Sequence, residues 1–207
     1  MKRILAKLFW AAVLGASTFT ITSCGKSLDS RNSMIVSVRD QKMLLIRDGH
    51  PVRTYPVSTS KFGLGSQSGS KRTPLGKFEV AQKIGAGAPA GAVFKSRKRT
   101  GEILKPNAPG RDPIVSRILW LNGKERQNSN TFRRLIYIHG TPEERKIGRP
   151  ASYGCIRMRS RDVIDLYRRV GEGAELNVIR GPLRHTEEGK RLYTRNPALP
   201  SLPVIRG

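Results

Sequence analysis

A cysteine and a histidine that lie sixteen residues apart could together carry out nucleophilic chemistry. His139 is followed by Gly140, and Cys155 is preceded by Gly154. A thiolate is a strong nucleophile, and a nearby imidazole can take the thiol proton and later return it to a leaving amine. The sequence therefore predicts thiol catalysis by Cys155, with His139 as general base and then general acid, and a thiol pKa lowered towards neutrality. The alternative is a small buried cysteine beside a structural histidine.

The other cysteine lies in an N-terminal segment that resembles an export signal. A basic start over residues 1–7 precedes an apolar run over residues 8–16, and the tetrapeptide Ile-Thr-Ser-Cys ends at Cys24. The apolar run is too short to span a bilayer, and the tetrapeptide resembles the lipobox of bacterial lipoproteins. We expect a signal peptide over residues 1–23, a lipid on Cys24 and a tether over residues 24–33. An ordinary signal peptide that happens to contain a cysteine is the alternative.

The chain is strongly basic, with 39 Lys and Arg against 15 Asp and Glu, a net charge of +24 and a pI near 11.2. Such a field concentrates polyanions near the surface. The basic residues are scattered and do not alternate with aromatic ones, which argues against a nucleic-acid partner. We expect an exported, membrane-anchored protein that faces the periplasm or cell wall and binds an anionic wall or lipid surface.

Short strands and tight turns dominate the predicted secondary structure. Asp48-Gly49 is typical of a hairpin turn, because both residues tolerate positive φ. The expected strands cover residues 34–38, 42–47, 52–57, 78–80, 114–121, 132–138 and 175–179. We expect exposed loops over residues 58–72 and 95–111. The pattern indicates a mainly β fold.

One helix is predicted after Cys155, beginning near Ser160 and ending before Gly171. Apolar residues at helical spacing would form its buried face; they are Val163, Ile164, Tyr167 and Val170. From residue 181 to residue 207 the prolines and scattered arginines predict an extended basic tail. No His, Cys, Asp and Glu residues have the spacing of a metal site and no phosphate loop is present, so we expect no metal and no cofactor.

Three segments carry a resemblance to a known family. They read T-P-L-G-K-F over residues 73–78, I-H-G-T over residues 138–141 and S-Y-G-C-I-R-M over residues 152–158. Together they resemble the L,D-transpeptidase family, also called the YkuD domain, over residues 34–180. The resemblance implies a β-rich, sandwich-like catalytic domain that acts on peptidoglycan stem peptides without a cofactor.

The resemblance also implies a reaction. Cys155 would attack the carbonyl of the third residue of a tetrapeptide stem, typically a diamino acid, and expel the terminal D-alanine. An amine from another stem would resolve the thioester and form a 3-3 crosslink. The carbonyl of Gly140 would orient the imidazole of His139.

The remaining site residues follow from the same resemblance. Backbone N–H groups of Tyr153, Gly154 and Cys155 would stabilise the oxyanion, and Ser152 and Arg157 would contact the substrate. Members of the family usually have histidine where this chain has Tyr153, and a phenol does not titrate near neutral pH. Three other functions remain open: an L,D-carboxypeptidase, an enzyme that attaches proteins to the wall, and a basic wall-binding lipoprotein without catalysis.

Overall fold

The computed structural model describes residues 27–195. The predicted signal peptide, Cys24 and the start of the tether lie outside the described residues, as does the end of the tail. Within this range no helix combines the length and hydrophobicity that crossing a bilayer would require.

Ten strands and two α-helices make up the described part of the chain. The strands are β1 (Asn32–Ser37), β2 (Lys42–Arg47), β3 (His50–Pro56), β4 (Gly76–Ile84), β5 (Ala92–Lys95), β6 (Lys98–Ile103), β7 (Ile114–Gly123), β8 (Tyr137–Gly140), β9 (Ile156–Met158) and β10 (Glu175–Ile179). The helices are α1 (Ser160–Arg169) and α2 (Glu187–Arg195). The prediction of a mainly β domain with a helix after Cys155 is confirmed.

A single mixed sheet contains all ten strands, in the order β3-β2-β1-β10-β4-β7-β5-β6, with β8 added on β7 and β9 on β8. Most pairs are antiparallel, whereas β1 with β10 and β8 with β9 are parallel. Ser58, just beyond β3, exchanges two backbone hydrogen bonds of 2.9 Å with Arg157 of β9. These bonds join the β3 end of the sheet to the branch that ends in β9, while β6 forms the other end of the sheet. The strands between β3 and β9 therefore surround the main core.

The main core fills the space that the sheet encloses. Alternate residues of β1, β2, β4, β7, β8 and β9 point into it, because successive side chains of a strand face opposite sides. Helix α1 adds Val163, Leu166 and Val170 to this cluster. Ile164, which we expected on the buried face, is only half buried. The helix therefore anchors the segment that follows Cys155 to the core.

Several loops differ from the sequence prediction. Residues 95–111 are not a structureless loop, because β5 and β6 form a hairpin there with Ser96 and Arg97 at positive φ. The segment after β3 is not fully exposed either, since Ser58, Thr59 and Ser60 are buried. The predicted hairpin turn is confirmed, with φ of 49° at Asp48 and 75° at Gly49.

The predicted extended tail contains a helix. Helix α2 packs near β3, and Leu183 just before it is fully buried. A second apolar cluster forms where this segment covers the outer face of β1 and β2; its members are Ile35, Leu44, Ile46, Ile179, Leu183, Leu192 and Tyr193. The expectation of an extended chain was wrong here because these apolar side chains have a sheet face to cover.

Candidate active site

The two predicted reactive residues lie at neighbouring parallel strands, His139 within β8 and Cys155 directly before β9. His139 of β8 is directly opposite Arg157 of β9. Continuing that register by two residues places Cys155 opposite Tyr137. Side chains two residues apart share a face of a strand, so His139 and Cys155 face the same side of the sheet, one diagonal step apart. Sequence reasoning thus selected two residues that the fold brings to one place.

His139 is held as a neutral base. Its side chain is 6% exposed, and Nδ1 lies 2.8 Å from the carbonyl oxygen of Gly140. A carbonyl can only accept, so Nδ1 carries the proton and Nε2 keeps its lone pair. Burial lowers the pKa of His139 to about 4, although the bond to Gly140 opposes this shift. The predicted role of the Gly140 carbonyl agrees with this geometry.

Gly140 also has a steric requirement. A Cβ at this position would lie 2.5 Å from the carbonyl oxygen of Val115 on β7. No side chain fits at that distance. The strand that carries His139 can therefore pack this closely against β7 only with glycine after the histidine.

Cys155 rests as a protonated thiol. Sγ accepts a hydrogen bond of 3.4 Å from the N–H of Tyr137, and the thiol donates one of 3.4 Å to the carbonyl of Leu135. Burial raises the pKa of Cys155 to about 11, although the N–H of Tyr137 and the charges of Arg134 and Arg157 lower it in part. The expectation of a lowered thiol pKa was wrong, because desolvation outweighs the neighbouring charges. Within the described chain, no hydrogen bond joins Sγ to His139.

The loop before Cys155 presents two free backbone donors. Gly154 has φ of 121°, and its N–H donates to Oγ of Ser152 at 3.3 Å. The N–H groups of Tyr153 and Cys155 have no acceptor among residues 27–195. These two groups, not all three predicted ones, are therefore available to an oxyanion.

Ser152 does not face a substrate site. It is buried, and its hydroxyl donates to the carbonyl of Cys155 at 2.6 Å. Since the same oxygen accepts from Gly154, Ser152 shapes the loop around the nucleophile. The expectation of substrate contact is corrected to a positioning role.

The predicted contact of Arg157 with the substrate is likewise corrected. Its side chain is 2% exposed, and Nη1 is paired with the carboxylates of Asp112 and Glu143. Asp112 also accepts from the hydroxyl of Thr141, which follows Gly140. A guanidinium enclosed in this way ties β9 to the segment after β8 and is not exposed to a peptide carboxylate. Its Nε and Nη2 have no partner within the described chain.

Two positioning residues were missed. Thr73 is fully buried; its hydroxyl donates to the carbonyl of Gly154 at 3.0 Å and accepts from the N–H of Ser60 at 2.9 Å. Thr73 is the first residue of the T-P-L-G-K-F segment that carries the family resemblance, so the sequence contained a signal for it. Arg134 donates to the carbonyls of Gly65 and Arg72 and lies near enough to Cys155 to lower its pKa. Nothing separates Arg134 from the other basic residues in the sequence.

A cavity of about 360 Å³ opens beside Tyr153. The charged and aromatic residues that line it are Lys61, Asp112, Glu143, Lys146 and Tyr153. Among residues 27–195, no three His, Cys, Asp or Glu side chains converge to hold a metal ion. The site can thus offer a thiol, a neutral imidazole, two backbone donors and a charged cavity.

Comparison with known proteins identifies a family. A family model described as the YkuD L,D-transpeptidase catalytic domain matches residues 31–179. The chain is 29% identical over 143 residues to YqjB of Bacillus subtilis, assigned as an L,D-transpeptidase, covering 69% of this chain and 68% of that one. It is 25% identical over 168 residues to YcfS of Escherichia coli, assigned likewise, covering 78% of this chain and 49% of that one.

The solved structures that this chain resembles include L,D-transpeptidases from two organisms. One from Mycobacterium smegmatis has 16% identity and a TM-score of 0.47, covering 72% of this chain and 58% of that chain. Another from Xylanimonas cellulosilytica has 18% identity and a TM-score of 0.47, covering 74% of this chain and 62% of that chain. Of the two relatives found by sequence, the chain spans about two thirds of the Bacillus subtilis protein and about half of the Escherichia coli protein.

Proposed function

Because this chain belongs to the L,D-transpeptidase (YkuD) family, we propose that it is a peptidoglycan L,D-transpeptidase with Cys155 as its nucleophile. The observation that carries the proposal is that Cys155, the residue directly before β9, and His139 of β8 face the same side of the sheet, one diagonal step apart. The free N–H groups of Tyr153 and Cys155 support it, since acyl transfer needs donors beside the nucleophile.

The proposed acylation step uses the thiol of Cys155, the imidazole of His139 and the two backbone donors. Sγ turns from the carbonyl of Leu135 towards Nε2 of His139, which takes the thiol proton. The sulfur attacks the carbonyl carbon of the third stem residue, and the N–H groups of Tyr153 and Cys155 stabilise the oxyanion. The C–N bond to the terminal D-alanine breaks as the imidazolium of His139 returns its proton to the leaving amine.

The second step decides the product. An amine of another stem attacks the thioester, a new amide bond forms and the C–S bond breaks, which gives a 3-3 crosslink and regenerates the thiol. Water in place of the amine would give an L,D-carboxypeptidase, and a protein amine would give wall attachment.

A product assay tests these alternatives. The protein is incubated with disaccharide tetrapeptide, and the products are analysed by mass spectrometry. A dimer lacking one D-alanine supports transpeptidation, tripeptide alone supports hydrolysis, and unchanged substrate contradicts the enzymatic proposal. Cys155→Ala should abolish all products, whereas Cys24→Ser should retain them. Product formation by Cys155→Ala would refute the assigned nucleophile.

We further propose that the protein is an exported lipoprotein anchored through Cys24, facing the periplasm or wall. The basic, apolar and lipobox-like segments of residues 1–24 support this. Intact-mass analysis of the membrane fraction should show a lipid-modified chain that begins at Cys24. Cys24→Ser should remove the lipid, and an unmodified mature chain in the wild type would contradict the proposal.

A further inference from the structure

Four side chains at and beside the loop of residues 152–155, which we call the nucleophile loop, form an exposed platform. It consists of Lys61, Phe62, Lys71 and Tyr153, and we call it the lysine-aromatic platform. Phe62 is 44% exposed and Tyr153 58% exposed. Their rings are tilted against each other, with centroids 5.6 Å apart. Two large aromatic rings thus remain open to solvent next to the proposed active site.

Both lysines lie over the same two rings. Nζ of Lys61 is 4.6 Å from the ring centre of Tyr153 and 5.3 Å from that of Phe62. Nζ of Lys71 is 5.7 Å from the Tyr153 centre and 6.0 Å from the Phe62 centre. Nζ of Lys61 is also 3.2 Å from the hydroxyl of Tyr153. The rings hold both ammonium groups in one place.

The platform carries two positive charges, and the carboxylates of Asp112 and Glu143, which line the same cavity as Lys61 and Tyr153, are bound by Arg157. Neither Lys61 nor Lys71 forms an ion pair with a carboxylate among residues 27–195. Two ammonium groups over shared rings repel each other, and an anion between them would remove that repulsion. The platform is therefore suited to a carboxylate.

The platform is joined directly to the loop that carries the thiol. The N–H of Lys61 donates to the carbonyl of Ser152 at 3.1 Å. Tyr153 precedes Cys155 by two residues, a Cα separation of at most about 7 Å. In a tetrapeptide stem, the terminal carboxylate lies one residue beyond the attacked carbonyl, about 4 Å away. The terminal carboxylate of a peptide whose carbonyl meets Cys155 must therefore lie within a few ångströms of the loop that carries Tyr153 and binds Lys61.

We propose that the lysine-aromatic platform binds the terminal carboxylate of the donor stem peptide, so that the leaving residue is recognised by its charge. This inference rests on the proposed function. Lys61 and Lys71 are then substrate-binding residues, and the hydroxyl of Tyr153 helps to position the ammonium of Lys61.

The experiment compares a tetrapeptide donor with its C-terminal carboxamide, which has the same shape but no charge. We measure kcat/KM for release of the terminal residue by the full chain and by Lys61→Gln and Lys71→Gln. The wild type should prefer the free carboxylate by about tenfold or more in kcat/KM, because a charge-assisted hydrogen bond usually contributes that much. Each variant should lose most of that preference. Lys190→Gln, which removes one positive charge from α2, should retain it.

The outcomes separate this inference from the proposed function. If the wild type uses both peptides equally, or if the lysine variants keep the preference, the platform does not bind the carboxylate. The proposed enzymatic function is unaffected by that outcome. If the wild type processes neither peptide, the proposed function fails and this inference fails with it. If the variants keep the preference but lose binding to an anionic wall polymer, the platform serves that polymer and the proposal is wrong.

Discussion

The resting charges of the two reactive residues follow from their burial. A pKa near 11 for Cys155 and near 4 for His139 makes both groups neutral at pH 7. The pair therefore does not rest as a thiolate and an imidazolium. Proton transfer to His139 must accompany attack, and Sγ must first leave the carbonyl of Leu135. A protonated thiol is also less open to oxidation than a thiolate.

Alkylation of Cys155 should report this high pKa. Because only the thiolate reacts, the rate of modification by iodoacetamide should rise about tenfold per pH unit from pH 7 towards pH 10. At pH 7 it should be roughly a hundredfold slower than in the urea-unfolded chain. The measurement is mass spectrometry of the peptide that contains Cys155. A rate that is already constant between pH 7 and pH 9 would contradict a neutral resting thiol.

His139 should make stability depend on pH. Its folded pKa of about 4 lies below the ordinary value of 6.5, so the unfolded chain binds more protons between these values. The stabilising contribution is present above pH 6.5 and is lost as pH falls towards 4. Between pH 7 and pH 5 the free energy of unfolding should fall by about 1–2 kcal/mol from this group.

The matched variant for this measurement is His139→Gln, which does not titrate. Urea unfolding at pH 7 and pH 5 should show a smaller difference for the variant than for the wild type. Equal differences would mean that His139 does not cause the acid sensitivity.

The sequence predicts which residues belong to the site better than it predicts whether their side chains are buried or exposed. Cys155, His139 and Gly140 stand out by type and spacing, and the fold brings them together. The roles of Ser152 and Arg157 were misjudged, because polar residues beside a nucleophile can face inward as easily as outward. Only the burial of Arg157 between Asp112 and Glu143 distinguishes the two cases.

At the scale of elements, a buried polar contact holds the nucleophile loop in shape. The segment after β3 and the segment before β4 meet this loop through Ser60 and Thr73. Helix α1 holds its other end. The loop is thus fixed from both sides, although it has little regular structure itself.

Thr73→Val should loosen the nucleophile loop. Valine keeps the shape of threonine but leaves the carbonyl of Gly154 and the N–H of Ser60 without their buried partner. We expect a loss of about 1–3 kcal/mol in the free energy of unfolding and slower acylation by the donor peptide. Thr73→Ser keeps the hydroxyl and should lose less in both measurements. If valine and serine behave alike, the hydroxyl does not hold the loop.

Elements with a clear pattern were predictable. Strands β2 and β10 have the predicted bounds, because each contains a short apolar pattern, continuous in β2 and alternating in β10, between polar residues or turns. The hairpin of β5 and β6 was missed because its second strand, K-R-T-G-E-I, is polar and mostly exposed. Strand β9 has three residues, too few to show a periodicity. Such strands are defined by their partners and not by their own sequence.

Within residues 27–195, one mixed sheet is closed between β3 and β9 by the pairing of Ser58 with Arg157, and the C-terminal segment partly covers the outer face of β1 and β2. Pairing of β1 with β10 and of Ser58 with Arg157 joins residues more than ninety positions apart. These contacts could not be read from local pattern, since hydrophobic periodicity says which face is buried but not which strand is the neighbour. The closure places β9, and hence Cys155, beside the end of β3.

Removing the C-terminal segment should destabilise the fold without touching the reactive residues. A chain that ends at Gly181 lacks Leu183, Leu192 and Tyr193, which cover apolar side chains of β1 and β2. It also lacks the hydrogen bond of 2.7 Å from the N–H of Leu183 to Asp40. The exposed apolar surface should lower the free energy of unfolding by about 2–4 kcal/mol.

The matched control is a chain that ends at Arg195, so that the two truncations differ only in the segment that contains α2. Thermal melting should show a lower Tm for the shorter chain. Below its melting transition, the shorter chain should still release the terminal residue of a tetrapeptide at a similar rate, because the apolar cluster that the C-terminal segment completes on β1 and β2 shares no residue with the cluster that Cys155 packs against. Equal melting temperatures would show that the segment with α2 does not stabilise the fold. Loss of activity in the folded, shorter chain would show that this segment affects the reactivity of Cys155.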